Sequence, residues 1–187
     1  MSLFSAGLAP GRRPPTVTPI LIALLALSAC SPTFNWRELR PEGTPLQTLM
    51  PCKPEHATRT VLLAGAGTEL HLQSCDTGGL SFAVAWAELG EPARVDAALA
   101  EWPRASLASL RLAPELADSP EARWAFHMPG APKARSLAVQ GTGPQGQLVQ
   151  MRAAYFARGS QVFQAAVYGP SLPGEVIATF FDALKLP

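Results

Sequence analysis

The sequence predicts an α+β domain, an antiparallel β-sheet with two main helices packed on it in the manner of an α/β/α sandwich. Three observations predict it. Apolar residues alternate with period two in several segments bounded by turn signals. They recur at helical spacing in two others, and the order along the chain is strands, helix, strands, helix. Hairpins followed by a helix, twice over, imply a sheet that buries its apolar surface under helices.

The elements follow in order. Phe34 to Leu39 reads as a short strand ended by Pro41-Glu42-Gly43, and Leu46 to Met50 as a second closed by Pro51. Arg59 to Leu63 is strand-like, with a turn expected at Gly65-Ala66-Gly67. From Thr68 onward Leu70, Leu72 and Ser74 fall on one face and Glu69, His71, Gln73 and Cys75 on the other. Asp76-Thr77-Gly78-Gly79 is a turn, after which Leu80, Phe82, Val84 and Trp86 alternate with smaller residues. Glu91-Pro92 opens a helix with Val95, Leu99 and Trp102 on one face; Pro103 is expected to kink or break it, though Leu107 and Leu110 continue an apolar stripe. Residues 113–134 read as a loop with Trp124 and Phe126 tucked inward. Arg135 to Gln140, Gln147 to Ala157 and Val162 to Tyr168 are strands, and Val149, Met151, Ala153 and Tyr155 share a face. Pro173-Gly174-Glu175 starts a last helix with Val176, Ile177, Phe180, Phe181 and Leu184 as its apolar stripe.

With 187 residues, 48% of them hydrophobic, the chain is of a length for one domain with a real core. The net charge is +1, and residues 1–29 contribute Arg12 and Arg13 with no acid. Removing that +2 leaves −1 on residues 30–187. A near-neutral domain without a basic stripe argues against nucleic acid as a partner.

The N-terminus has the build of an export signal. Arg12 and Arg13 precede the apolar run Ile20 to Leu27, and the uncharged stretch from Pro14 to Ala29 is too short, and too Pro-rich at its start, for a comfortable transmembrane helix of about 20 residues. It ends in Leu27-Ser28-Ala29-Cys30, which resembles the lipobox of bacterial lipoproteins. That resemblance implies removal of residues 1–29, diacylation of Cys30 and acylation of the new amino terminus. Ser31 in place of an Asp implies sorting to the outer membrane, on its periplasmic face. The competing reading is an ordinary secretory signal cut near Ala29, with Cys30 incidental. A twin-arginine signal is disfavoured because Pro14-Pro15 follow the arginine pair. Residues 30–33 then form a short tether, reaching about 10–13 Å, and residues 34–187 the single globular domain. The domain is expected close to the bilayer.

If Cys30 carries lipid, Cys52 and Cys75 remain as an even pair in an oxidising compartment, so a disulfide between them is expected. The alternative is two free buried thiols. Three stretches together resemble the photosystem PsbP-like α/β/α sandwich group: Leu49-Met50-Pro51-Cys52-Lys53-Pro54, the hairpin from Gln147 to Gly169, and Phe180-Phe181-Asp182-Ala183-Leu184. That resemblance implies a non-catalytic domain that binds or braces a partner, and it supplies no site residues.

Catalytic signatures are weak. Gly141-Thr142-Gly143-Pro144-Gln145-Gly146 fits the spelling of a dinucleotide loop, but a strand follows where a helix is needed, so it reads as a hairpin loop. No GxSxG is present, and no cysteine or histidine spacing suits a metal. No catalytic residue, metal ligand or cofactor is therefore assigned. Of the three histidines, His71 shares its strand face with Glu69 and Gln73, His56 is placed in a turn and His127 in a loop. Trp86 and Trp102 read as core, whereas Trp36 and Trp124 lie in less regular sequence and are candidates for a partner surface. Three functions stay open. The first is a membrane-anchored binding or scaffolding lipoprotein of the cell envelope, with a protein or the cell wall as partner. The second is a lipid or small-molecule carrier with an apolar cleft. The third is an enzyme of unrecognised type, for which polar groups converging on His71 would be the sign.

Overall fold

The computed structural model describes residues 32–187, and Thr33–Pro187 form one compact unit. The signal sequence and Cys30 lie outside the described residues. A small hairpin pairs β1 (Arg37–Leu39) with β2 (Thr48–Met50). The main sheet has six strands: β3 (Glu55–Leu63), β4 (Ala66–Thr77), β5 (Leu80–Glu88), β6 (Arg135–Thr142), β7 (Leu148–Arg158) and β8 (Gln161–Gly169). Their spatial order is β3-β4-β5-β8-β7-β6, every pair antiparallel, with β3 and β6 at the edges. Helices α1 (Val95–Ser109) and α2 (Gly174–Asp182) complete the α+β architecture.

The alternation seen in the sequence sorts side chains onto two cores, one per face. Under α1 lie Leu70, Ala85, Ala87, Leu137, Met151, Ala153, Tyr155, Val162 and Ala166, facing Val95, Leu99 and Trp102. Under α2 and the hairpin lie Cys75, Phe82, Val84, Trp86, Phe156, Phe163 and Val167, with Ile177, Phe180 and Phe181. The disulfide Cys52–Cys75, with Cα atoms 6.0 Å apart, fastens the chain after β2 to β4 on this second face.

Three local expectations change. The β3–β4 turn is Ala64–Gly65, both with positive φ, rather than Gly65–Gly67. The Glu101 carboxylate accepts a hydrogen bond from the Ala64 N–H at 2.7 Å, which offsets the cost of placing a non-glycine residue there. His56 is in strand β3, not a turn. Helix α1 continues through Pro103. A proline at that position deprives the Leu99 carbonyl of its helical donor, and Arg135 Nη1 donates to that oxygen instead, at 3.4 Å.

Candidate functional site

The two-residue turn fixes the β3–β4 register, and the register assembles a site that single-strand reading missed. His56 lies opposite Gln73, Thr58 opposite His71, and His71 opposite Trp86 on β5. All these side chains share the α2 face of the sheet, beyond the area that α2 covers. They line a groove of about 370 Å³ walled on one side by Glu42 and Gly43 of the β1–β2 loop. Gln161 holds that loop, donating from Nε2 to the Gly43 carbonyl at 2.8 Å.

The His71 ring lies on the Trp86 indole, centroids 5.1 Å apart and nearly parallel. Its Nδ1 is 3.3 Å from the Thr58 hydroxyl, and its Nε2 is 3.1 Å from a Glu69 carboxylate oxygen. A neutral ring in this setting donates from Nε2 to Glu69 and accepts from Thr58 at Nδ1. This hydroxyl–imidazole–carboxylate order is the one a general base uses on a hydroxyl, but here it stands open to water, with Thr58 on the exposed strand and Glu69 66% accessible. His56 is joined through Nδ1 to Gln73 Nε2 at 3.1 Å. The other end of the Gln73 amide, Oε1, is buried and has no partner. An unmet buried acceptor costs about 1–3 kcal/mol.

The groove opens along the edge strand β3. From Glu55 to Thr60 this strand is exposed, and Leu62, on the same face as His56 and Thr58, is 80% exposed. An exposed edge of nine residues with one basic side chain, Arg59, offers unpaired backbone groups to another extended chain.

The other sequence-derived candidates are placed as follows. Cys30 lies outside the described residues. Cys52 and Cys75 are disulfide-bonded. Trp36 is half-buried, edge-on to Phe82 at 6.0 Å and stacked with Phe34. Trp124 is half-buried against Phe181 at 4.8 Å, donates from Nε1 to the Ala153 carbonyl, and lies under the Arg152 guanidinium at 5.1 Å. His127 is exposed in its loop and does not line the groove that holds His56 and His71. Among the described residues no cluster of three or more His, Cys, Asp or Glu is arranged to hold a metal, and no helix is long and apolar enough to cross a membrane.

No family model and no curated protein sequence matches the chain. Among solved structures it is similar to a protein of unknown function, PA94, from Pseudomonas aeruginosa. The two are 15% identical, with 72% of this chain and 83% of that one covered and a TM-score of 0.33.

Proposed function

We propose that the chain is a lipid-anchored binding module of the cell envelope, non-catalytic, held at the periplasmic face of the outer membrane through Cys30. Its partner is an extended segment of an envelope protein laid along β3, with side chains entering the His71 groove. The lipobox resemblance supports the anchor, and the PsbP-like pattern supports a bracing or binding role. The observation that carries the binding surface is the juxtaposition of an exposed β-edge with a groove floored by stacked His71 and Trp86. Strand addition works this way elsewhere: main-chain hydrogen bonds at the edge give affinity, and pockets beside it read alternate side chains.

An enzyme at His71 is the second reading, favoured by the convergence of Thr58, Glu69 and Gln73 on the two histidines. The exposure of Thr58 and Glu69 to water favours the binding role over it, since such a relay acts where water is kept out.

The test is capture from native membranes by the full chain and by two exposed-surface variants, Leu62→Lys and Thr60→Lys. A charge on the edge strand discourages pairing without touching the core. A partner retained by the parent chain and lost by both variants is expected. A partner captured equally by all three chains would remove β3 as the binding edge.

A further inference from the structure

The ends of the sheet differ in chemistry. The β4–β5 turn, the β6–β7 loop (143–147), the chain after β8 and the end of α1 gather at one of them. A groove of about 560 Å³ runs between these segments, and none of its lining side chains is charged; Leu110, Pro144, Leu148, Val149, Tyr168 and Pro170 are among them. Leu148 is 58% exposed, one of two large hydrophobic residues on the described surface with such exposure. The opposite end is ionic, with Asp96 paired to Lys133 and with Glu88 and Arg158 flanking the β7–β8 turn.

The described chain starts at the end that holds this groove, where Arg111 and Asp76 are the nearby charges. Thr77 donates its hydroxyl to the Thr33 carbonyl. Gly78 approaches the same segment so closely that a Cβ there would stand 2.7 Å from the Phe34 ring. Its neighbour Gly79 lines the groove. Cys30 precedes Thr33 by three residues, so its sulfur is tied to this end by no more than about 11 Å of extended backbone.

We infer that this end of the sheet, led by Leu148, seats on the surface of the phospholipid bilayer that holds the lipid of Cys30, with the uncharged groove turned toward the acyl chains. The inference rests on the anchor reading proposed above. A bilayer interface accepts apolar and uncharged side chains, which fits the groove lining, and Arg111, which donates to the Pro144 carbonyl at the rim, is placed to meet lipid phosphates. Seating this way leaves the β3 edge and the His71 groove on the flank of the sheet, clear of the membrane.

The experiment uses the lipidated full chain in vesicles of phosphatidylethanolamine and phosphatidylglycerol whose acyl chains are brominated. Leu148→Trp and Leu62→Trp each add one tryptophan at an exposed position, and both are compared with the parent chain. The emission added by Leu148→Trp is expected to be quenched, and that added by Leu62→Trp is not. If vesicle flotation depends on Cys30 but the Leu148→Trp emission is unquenched, the anchor stands and the seating is overturned. Equal quenching at both positions overturns the seating as well. A full chain purified from membranes without lipid on Cys30 overturns both readings.

Discussion

The two faces of the sheet solve one problem with different materials. The α1 face is covered by a helix of 15 residues, and the strands beneath it present alanines at 85, 87, 153 and 166. Small residues let the long helix lie close, and its own Trp102 and Leu99 fill the space. The α2 face has a helix of 9 residues, too short to cover six strands. The remainder is roofed by the β1–β2 hairpin and the loop before β6, and aromatic rings close the joints: Phe34 and Trp36 on Phe82, and Trp124 and Phe126 on Phe181. A continuous helix permits a small-residue floor, whereas a patchwork roof needs bulk from both sides.

Removing bulk from the patchwork face should have the largest effect. Phe163 is fully buried and stacks on Phe156 at 5.4 Å. Phe163→Ala is expected to cost about 3–5 kcal/mol, because neighbours drawn from separate segments cannot all close on the vacancy. Urea denaturation measures it. A loss under about 1 kcal/mol would mean that the roof collapses freely and that the two faces are not built differently.

The disulfide belongs to the same face. It spans a sequence separation of 23 residues that includes the whole of β3. Closing a loop of that length stabilises by about 3 kcal/mol through the unfolded chain. Reduction should lower stability by about that amount while leaving the α1 face ordered, measured as hydrogen-exchange protection in β7 and β8 against β3. Equal loss of protection in all strands would show that the faces unfold as one.

Much of this was legible in the sequence. The alternation in Leu80–Trp86 and Val149–Tyr155 gave the correct faces, and cysteine parity gave the pairing seen in the structure. The His56–His71 groove was not legible, for a definite reason. Cross-strand neighbours depend on the turn, and a turn read as Gly65–Gly67 in place of Ala64–Gly65 shifts every partner along β3. Ala64 concealed the turn because alanine rarely takes positive φ, and the Glu101 carboxylate that holds it there comes from α1, a distant element. Pro103 misled in a similar way, since its compensating donor, Arg135, lies 32 positions on. Local rules failed where a tertiary partner supplied what the local sequence lacked.

The smallest expected effect separates the faces by pH. The α1 face buries a polar trio: Gln164 Nε2 donates to Ser106 Oγ at 3.0 Å and to the Tyr155 hydroxyl oxygen at 3.3 Å. Desolvation, then the neighbouring Tyr168, push the Tyr155 phenol well above its ordinary range, and burial raises Tyr168 to about 12. A folded-state pKa above the unfolded value favours the neutral, folded form. That stability is complete below the unfolded tyrosine value near 10 and is lost as pH rises above it. The melting temperature should therefore fall above about pH 10. Tyr155→Phe should cost about 1 kcal/mol at neutral pH, the value of one neutral hydrogen bond, and make the alkaline fall shallower. The aromatic face has no tyrosine, so Phe163→Ala should shift the whole pH profile down without changing its slope. An alkaline slope that is the same in Tyr155→Phe and the parent chain would place the titration elsewhere and remove this distinction between the faces.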